Sequence, residues 1–369
     1  MDGALAALYD SAEQDSADPT RRSGGLGSSA PRVARWLGDI RTYFPTSVVQ
    51  VMQRDAVERL QLTSMLLEPE LLGSIQPDVH LVSSLVSLSH VMPDATKRTA
   101  RVVVGQVVAE IERRIVNKTR AAVTGAVSRA SRTRRPRPRD IDWNATIRRN
   151  LDHYLPNQRT VVPERLVGYG RGANAVVKEV VVAIDQSGSM AESMVYAAVF
   201  GATLASIRSV KTSVVAFDTE IVDLTGLLSD PVDVLFGCQL GGGTDINRAL
   251  AYCQRLITRP AESILVLISD LYEGGIAPEM LRRVAELLRA GVTVVALLAL
   301  SDSGAPAYDH EHAAALAALG VPAFACTPDQ FPDLLAVAIT KGDIAHWAAT
   351  LASEAAAPNR AQVANRAHG

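Results

Sequence analysis

A regular alternation of apolar runs and helical segments occupies the chain from Glu179 to Ile339 and leaves few architectures open. Short runs rich in Val, Ile, Leu and Ala predict strands at 180–184, 212–217, 220–224, 263–269, 292–300 and 322–326. The intervening stretches predict helices at 191–207, 245–257, 278–290, 310–319 and 329–339. Strands that alternate with helices of ten or more residues are typical of βαβ units, and continuous apolar strands are typical of sheets covered on both faces. We therefore expect an α/β fold with a doubly wound, mostly parallel sheet over residues 178–340.

A short polar motif follows the first of these strands. Asp185, Ser187 and Ser189 occupy alternate positions there, and carboxylate and hydroxyl oxygens are ligands that suit Mg²⁺. Two later segments carry similar donors, namely the loop Gly241-Gly-Gly-Thr244 and the strand that leads into Asp270. In open α/β sheets, ligands bind beyond the carboxyl ends of the strands. We therefore expect these five side chains to meet at one edge of the sheet and to hold a cation.

Other interpretations of the motif are weaker. Asp185, Ser187 and Ser189 could cap the helix that is predicted to begin near Ala191, whereas Asp245 is expected to be an N-cap rather than a ligand. A serine nucleophile would require Gly-x-Ser-x-Gly, but Asp185 and Ser189 occupy the outer positions. The sequence also lacks the Gly-x-x-x-x-Gly-Lys-Ser/Thr loop that binds nucleotide phosphates. Capping does not account for the Thr244 loop and the second strand-terminal aspartate, so the metal interpretation is favoured.

The order Asp185-x-Ser187-x-Ser189, Thr244 and Asp270 resembles the metal-ion-dependent adhesion site of the von Willebrand factor A (VWA) domain, and all five positions match. The resemblance covers about residues 178–340 and implies a Rossmann-like VWA domain that binds Mg²⁺, with Mn²⁺ or Ca²⁺ as alternative ions. It implies that the two serines coordinate directly, that the two aspartates act partly through water, and that the threonine joins directly or through water. It also implies an open coordination position for an Asp or Glu of a bound partner.

The flanking sequence is similar to a narrower bacterial group, the CoxE-like VWA proteins that work with MoxR-type AAA+ ATPases. The similarity lies in the helical N-terminal region, in Asp142-Trp-Asn-Ala-Thr-Ile-Arg-Arg149 and in Val182-Ala-Ile-Asp-Gln-Ser-Gly-Ser-Met190. It implies that the protein partner is a MoxR-type ATPase or a client of that ATPase. The expected process is then protein remodelling or the maturation of a complex.

The remaining segments differ in composition. Residues 1–33 are rich in Ser, Gly, Asp and Arg and are predicted to be flexible, whereas residues 34–128 carry helical periodicity and predict an all-helical domain with helices at 81–88 and 100–123. Eight arginines lie between 129 and 149, so residues 129–177 are interpreted as a linker or as a docking strip for an acidic partner. Nucleic acid is not expected to bind there, because Trp143 is the one aromatic residue nearby. Residues 341–369 are predicted to form a helix and a tail.

Charge and cysteine usage bear on location and partners. The net charge of −2 is unevenly distributed, with 22 Lys and Arg against 16 Asp and Glu in residues 1–150, and 15 against 23 in residues 151–369. The three cysteines show no paired spacing, the N-terminus lacks a basic and apolar leader, and no apolar run approaches the ~18 residues that span a bilayer. These features predict a cytoplasmic protein with reduced thiols and no membrane span.

The sequence as a whole predicts an adaptor that binds a protein through a metal ion rather than an enzyme. Two alternatives stay open: a metal-dependent hydrolase that uses the same ion, and a structural oligomer subunit. Asp302 and Asp309 follow a predicted strand and are expected to be surface acids at the rim of the site.

Overall fold

The computed structural model describes residues 77–89, 91–130, 132–133, 135–169, 178–238, 243–302 and 307–351. The predicted flexible segment 1–33, part of the predicted helical domain and most of the predicted tail lie outside these residues. The chain divides into two compact units, Met1–Ile111 and Glu112–Gly369. Each unit is described by itself.

The described part of the first unit is helical. Helix α1 (Val79–Ser87) is capped by Asp78, whose side chain accepts a hydrogen bond of 2.7 Å from Leu81 N. Helix α2 (Asp94–Ala130) begins in this unit and continues into the second. The predicted N-terminal helical region is thus confirmed where the structure describes it, while the domain boundary at residue 128 stays a prediction. Among the described residues, no helix is both long enough and apolar enough to cross a bilayer.

The Arg-rich approach to the sheet has its own short elements. Helix α3 (Trp143–Arg149) is followed by a small antiparallel pair, Tyr154–Leu155 with Thr160–Val161. A second antiparallel pair joins Arg132–Thr133 to Gly168–Tyr169. The segment predicted as a linker or docking strip is therefore structured over much of its described length.

The second unit contains one six-stranded sheet. Its strands are β1 (Lys178–Asp185), β2 (Val210–Phe217), β3 (Ile221–Asp223), β4 (Ser263–Ile268), β5 (Thr293–Leu300) and β6 (Ala323–Cys326). The strand order is β6-β5-β4-β1-β2-β3, and every neighbouring pair is parallel except β2 with β3. Every residue of β1 is buried, as expected for a central strand covered on both faces. The predicted mostly parallel sheet is confirmed, and each strand ends within two residues of its predicted bounds.

Helices connect these strands. They are α4 (Ala191–Ala205), α5 (Pro231–Gly237), α6 (Ile246–Leu256), α7 (Ala277–Arg289), α8 (His310–Ala318) and α9 (Phe331–Ile339), and residues 344–351 are also helical. Five of the six labelled helices were predicted to within two residues. Helix α5 was not predicted, because seven residues are too short for a helical period to be recognised.

The helices cover both faces of the sheet. Alternate strand residues form a core with residues from α6, α7 and α8 on one face, among them Val181, Ala183, Leu265, Leu267, Leu250, Val284 and Leu316. Helices α4 and α9 meet through Phe200 and Phe331, whose ring centroids lie 4.5 Å apart. Gly201 lets α4 approach β2 closely, because a Cβ there would lie 2.7 Å from the Val214 side chain. The sheet is therefore doubly wound.

The order of the strands creates a crevice at the carboxyl edge. From β1 the chain proceeds to β2 on one side, whereas β4, which follows β2 and β3 in the sequence, pairs with β1 on the other side. The carboxyl ends of β1 and β4 thus flank the topological switch point, where ligands bind in such sheets.

Candidate metal-binding site

Asp185 is the last residue of β1 and lies fully buried at this crevice. Its Oδ1 accepts hydrogen bonds from Ser187 N at 2.9 Å and from Thr244 Oγ1 at 3.4 Å. Its Oδ2 accepts a hydrogen bond of 2.8 Å from Ser269 Oγ. The carboxylate is therefore held in one orientation by groups from three separate segments.

The two serines extend this arrangement to Asp270. Ser187 Oγ and Ser189 Oγ lie 3.1 Å apart, and Ser189 Oγ donates a hydrogen bond of 2.6 Å to Asp270 Oδ2. Because Ser187 also donates its backbone N–H to Asp185, the chain of contacts runs from Thr244 to Asp270. The structure thus brings all five predicted residues together, although Gly241 and Gly242 of the preceding loop lie outside the described residues.

Helix capping does not explain these polar groups. The N-cap of α4 is Met190, which makes no side-chain capping bond, and Ser187 makes none to the 3-10 turn Gly188–Met190. Asp245 does behave as predicted, since its side chain caps α6 by accepting a hydrogen bond of 2.8 Å from Arg248 N. Helix capping by the Asp185 motif is therefore wrong, and its polar groups contact one another and Asp270 instead.

The electrostatics of the site fit a cation. Burial raises the pKa of the Asp185 carboxyl; hydrogen bonds from Ser187 and Ser269 oppose this rise, and the charge of Asp270 adds to it. Within the part of the chain that the structure describes, neither Asp185 nor Asp270 forms an ion pair with Lys, Arg or His. Two carboxylates and three hydroxyls without a cationic neighbour form the hard oxygen donor set that Mg²⁺ prefers.

The donor set is unusual in its reliance on hydroxyl groups. Among the described residues, no group of three or more His, Cys, Asp and Glu side chains could hold a metal ion. A site on Asp185 and Asp270 would therefore depend on the hydroxyls of Ser187, Ser189 and Thr244 for more than half of its protein ligands.

Ser269 is a positioning residue that the sequence reasoning missed. It donates to Asp185, and its Oγ accepts a hydrogen bond of 3.1 Å from Leu271 N. Leu271 adopts a left-handed conformation with φ of +65°, and its carbonyl oxygen lies 3.0 Å from His312 Nδ1. The sequence feature that could have identified Ser269 is its position between the end of an apolar run at Ile268 and the predicted ligand Asp270.

The two acids predicted at the rim have other contacts. Asp309 donates its backbone N–H to Asp270 O at 2.9 Å, while its side chain caps α8 by accepting from His312 N. Asp302 instead accepts hydrogen bonds of 3.1 Å from Arg114 and from Tyr196 Oη. Asp309 thus supports the site through its backbone, and Asp302 serves an ion pair.

The loop 271–276, named here the rim loop, lies against Thr244. Gly274 N donates a hydrogen bond of 2.7 Å to Thr244 O, and a Cβ on Gly274 would lie only 2.7 Å from that oxygen. Glu273 accepts a hydrogen bond of 2.7 Å from Ile246 N, and burial raises its pKa. Tyr272 and Ile276 of the same loop are exposed. The candidate site therefore has an acidic and partly apolar rim.

Comparisons with known proteins agree with this architecture. Residues 115–335 match the family described as VWA domain containing CoxE-like protein. The chain is 36% identical over 330 residues to the uncharacterized protein YehP of Escherichia coli (strain K12), with 86% of each chain covered.

Solved structures also match at low similarity. A conserved hypothetical protein BatB from Bacteroides thetaiotaomicron shares 15% identity and a TM-score of 0.34, over 46% of this chain and 99% of that one. A von Willebrand factor type A protein from Catenulispora acidiphila shares 16% identity and a TM-score of 0.34, over 47% of this chain and 44% of that one.

Proposed function

The chain belongs to the family of VWA domain containing CoxE-like proteins, and on that premise we propose that it is a cytoplasmic adaptor that binds partner proteins through Mg²⁺. Membership of this family supports a role in protein interaction. The observation that carries the metal-dependent part is the hydrogen-bonded group formed by Asp185, Ser187, Ser189, Thr244 and Asp270 at the switch point of the sheet.

In this proposal the five side chains hold the ion, and Mn²⁺ or Ca²⁺ can replace Mg²⁺. Asp185 and Asp270 supply the negative charge, and Ser269 keeps the first of them oriented. A bound divalent ion supplies an electrophilic centre that attracts a further carboxylate. Because the protein contributes only two carboxylates, an Asp or Glu of the partner is the complementary ligand.

We further propose that this partner is a MoxR-type AAA+ ATPase or one of its clients. Support comes from the similarity to the CoxE-like group, which extends beyond the sheet to the helical region and to residues 142–149. The function would then be protein remodelling or complex maturation rather than turnover of a small substrate.

Capture of partners from native lysate tests the proposal. Wild type is compared with Asp185→Asn, in Mg²⁺ and in EDTA, and bound proteins are identified by mass spectrometry. A set of proteins retained by wild type in Mg²⁺ is expected to be lost in EDTA and with Asp185→Asn. Asp218→Asn is the matched control, because Asp218 directly follows β2 and its Oδ1 accepts a hydrogen bond of 2.6 Å from Glu220 N in a local turn.

The outcomes separate the candidate functions. Identical capture under all conditions would exclude the metal-dependent adaptor. Hydrolysis of a phosphoester that disappears with Asp185→Asn would favour a hydrolase instead. Co-elution with a purified MoxR-type ATPase from the same genome, lost with Asp185→Asn, would support the specific partner.

A further inference from the structure

Helix α3 is attached to its surroundings through its polar side. Thr146 is fully buried, and its Oγ1 both donates to Val167 O and accepts from Val167 N at 3.0 Å. Asn150 is also buried; its Nδ2 donates to Arg165 O at 2.9 Å, and its Oδ1 accepts from the backbone N–H groups of Glu164 and Arg165 at 3.1 Å. Two polar residues four apart therefore anchor the helix.

This anchoring leaves the apolar side of α3 facing outward. Trp143, Ile147 and Leu151 follow one another at intervals of four, which places them on one side of the helix and its extension. They are 55%, 42% and 57% exposed, respectively. Amphipathic helices ordinarily bury this face, whereas the orientation of α3 leaves an apolar surface exposed, a feature that often marks an interaction site. We call these three residues the Trp143 stripe.

The surroundings of the Trp143 stripe are basic. Arg139, Arg148 and Arg149 are exposed, and none of them forms an ion pair within the described part of the chain. Residues 135–165 contain seven Arg against four Asp and Glu, whereas residues 178–340 contain nine Lys and Arg against 19 Asp and Glu. The stripe therefore suits an acidic surface, and the sheet domain of this chain is acidic.

The rim loop is a matching surface on that domain. Its Tyr272 and Ile276 are 51% and 57% exposed. The carboxylates of Asp245, Asp270 and Glu273 lie at or beside the loop, and none forms an ion pair among the described residues. The Trp143 stripe is apolar and has basic surroundings, and the rim loop is partly apolar with acidic side chains in it or beside it, so the two surfaces are complementary in charge and in hydrophobicity.

We propose that the Trp143 stripe of one copy docks on the rim loop of a second copy. The two surfaces do not cover each other within one chain, since both are exposed. Pairing of two Trp143 stripes is disfavoured because it would bring the arginines around each stripe together. The contact is therefore head-to-tail, which builds a ring or an open chain of copies. It also covers the candidate metal site, so self-association would compete with partner capture; this consequence rests on the proposed function.

Sedimentation velocity tests the contact. All runs contain EDTA, so that the result does not depend on the proposed metal. Wild type is expected to sediment faster as its concentration rises at about 50 mM NaCl, and to do so less at about 500 mM, because salt screens the attraction. Trp143→Gln/Ile147→Gln and Tyr272→Gln/Ile276→Gln are each expected to weaken association roughly tenfold or more. Val102→Gln is the matched control, since Val102 is 63% exposed outside both surfaces.

Mixing the two double variants gives the sharpest result. Each retains one intact surface, so the mixture is expected to form a dimer and nothing larger. Both double variants keep Thr146 and Asn150, the residues that anchor α3. Circular dichroism verifies that the two variants fold.

Three outcomes overturn the proposal. Wild type that stays monomeric at every concentration excludes a second copy as the occupant. Self-association of the Tyr272→Gln/Ile276→Gln variant alone shows that the Trp143 stripe pairs with itself. A monomeric wild type that binds phosphatidylcholine/phosphatidylglycerol vesicles, with the binding lost in Trp143→Gln/Ile147→Gln, assigns the stripe to a lipid surface. Mg²⁺-dependent capture of partners is measured separately, so failure of one idea leaves the other standing.

Discussion

Strand β1 carries a buried carboxylate near each end, and the two have opposite environments. Glu179 lies at the amino end, and Asp185 at the carboxyl end. Both side chains are almost inaccessible to water. They share a strand and a charge, so their differences arise from the groups that surround them.

The hydrogen-bonding capacity of the Glu179 carboxylate is satisfied by neighbouring donors. Its carboxylate accepts hydrogen bonds of 2.9 Å from the backbone N–H groups of Thr258 and Arg259, and of 3.0 Å from Ser263 Oγ, with the Thr258 hydroxyl as a further donor. Lys211 Nζ lies 3.5 Å away. Burial alone raises the pKa of Glu179, but the bonds from Thr258, Arg259 and Ser263 outweigh it and lower that pKa to about 2.

Asp185 accepts hydrogen bonds too, yet burial and Asp270 outweigh them and raise its pKa. Among the described residues it has no cationic partner. A buried carboxylate with full compensation stabilises the fold, whereas one that lacks a countercharge is suited to bind a cation. The contrast therefore separates a structural carboxylate from the proposed metal ligand on the same strand.

The largest expected effect is the loss of the structural carboxylate. Glu179→Gln replaces one acceptor oxygen with an NH2 group. This group is itself a donor, and it would face the N–H and O–H donors that now bind the carboxylate. A pKa of about 2 against an ordinary 4.5 corresponds to about 3 kcal/mol, so the free energy of unfolding at pH 7 is expected to fall by that amount. Urea denaturation followed by circular dichroism measures the change.

Glu286→Gln is the control for this substitution. Glu286 is partly exposed, and its Oε1 lies 3.9 Å from Arg282 Nε, a surface pair worth less than about 1 kcal/mol. A loss in Glu179→Gln no larger than in the control would show that the donors around Glu179 do not stabilise the fold.

The same carboxylate predicts a pH dependence. Its folded-state pKa is depressed, so its stabilisation is present above the ordinary value of 4.5 and is lost as the pH falls towards 2. The difference in unfolding free energy between wild type and Glu179→Gln is therefore expected to shrink from about 3 kcal/mol at pH 6 to near zero at about pH 2. A difference that stays constant across this range would assign the effect to packing rather than to charge.

Metal addition tests the proposed role of Asp185 as a metal ligand. Mg²⁺ at about a hundred times its Kd is expected to raise the unfolding free energy of wild type by about 2.7 kcal/mol. Asp185→Asn is expected to gain little, because it loses one of only two charged ligands. Glu179→Gln is the matched variant at the opposite end of β1 and is expected to gain as much as wild type. Equal stabilisation of all three proteins by Mg²⁺ would place the ion elsewhere.

Much of this architecture was accessible from residue order alone. The strands are apolar on both faces, so their runs were recognisable. The predicted ligands stand out because polar residues follow Ile184 and Ile268 directly and because Thr244 follows a run of three glycines. The contact of Ser269 with Asp185 was not accessible, because it depends on the register in which Ile184 of β1 lies beside Ile268 of β4. Register between strands distant in sequence is a tertiary property.

The orientation of α3 is a second such property. Its apolar residues Trp143 and Ile147 would ordinarily indicate a buried face. Thr146 and Asn150 form hydrogen bonds with the backbone at 164–167, so the polar side of α3 is buried and the apolar side is exposed. Those acceptors and donors lie 14 to 21 residues further along the chain. The sequence therefore indicated an Arg-rich linker or docking strip but not the apolar surface within it.

The smallest expected change in unfolding free energy is that of Asp185→Asn without metal, and it is a gain in stability rather than the loss expected for Glu179→Gln. In EDTA, Asp185→Asn removes a buried charge that has no cation and keeps an amide oxygen to accept from Ser187 N, while its amide nitrogen can donate to Ser269 Oγ. Its unfolding free energy is therefore expected to exceed that of wild type by about 1 kcal/mol. Urea denaturation in EDTA at pH 7.5 measures this, with Asp218→Asn as the control. A loss comparable to that of Glu179→Gln would mean that the three donors fully compensate Asp185, and the two ends of β1 would then hold carboxylates of the same kind.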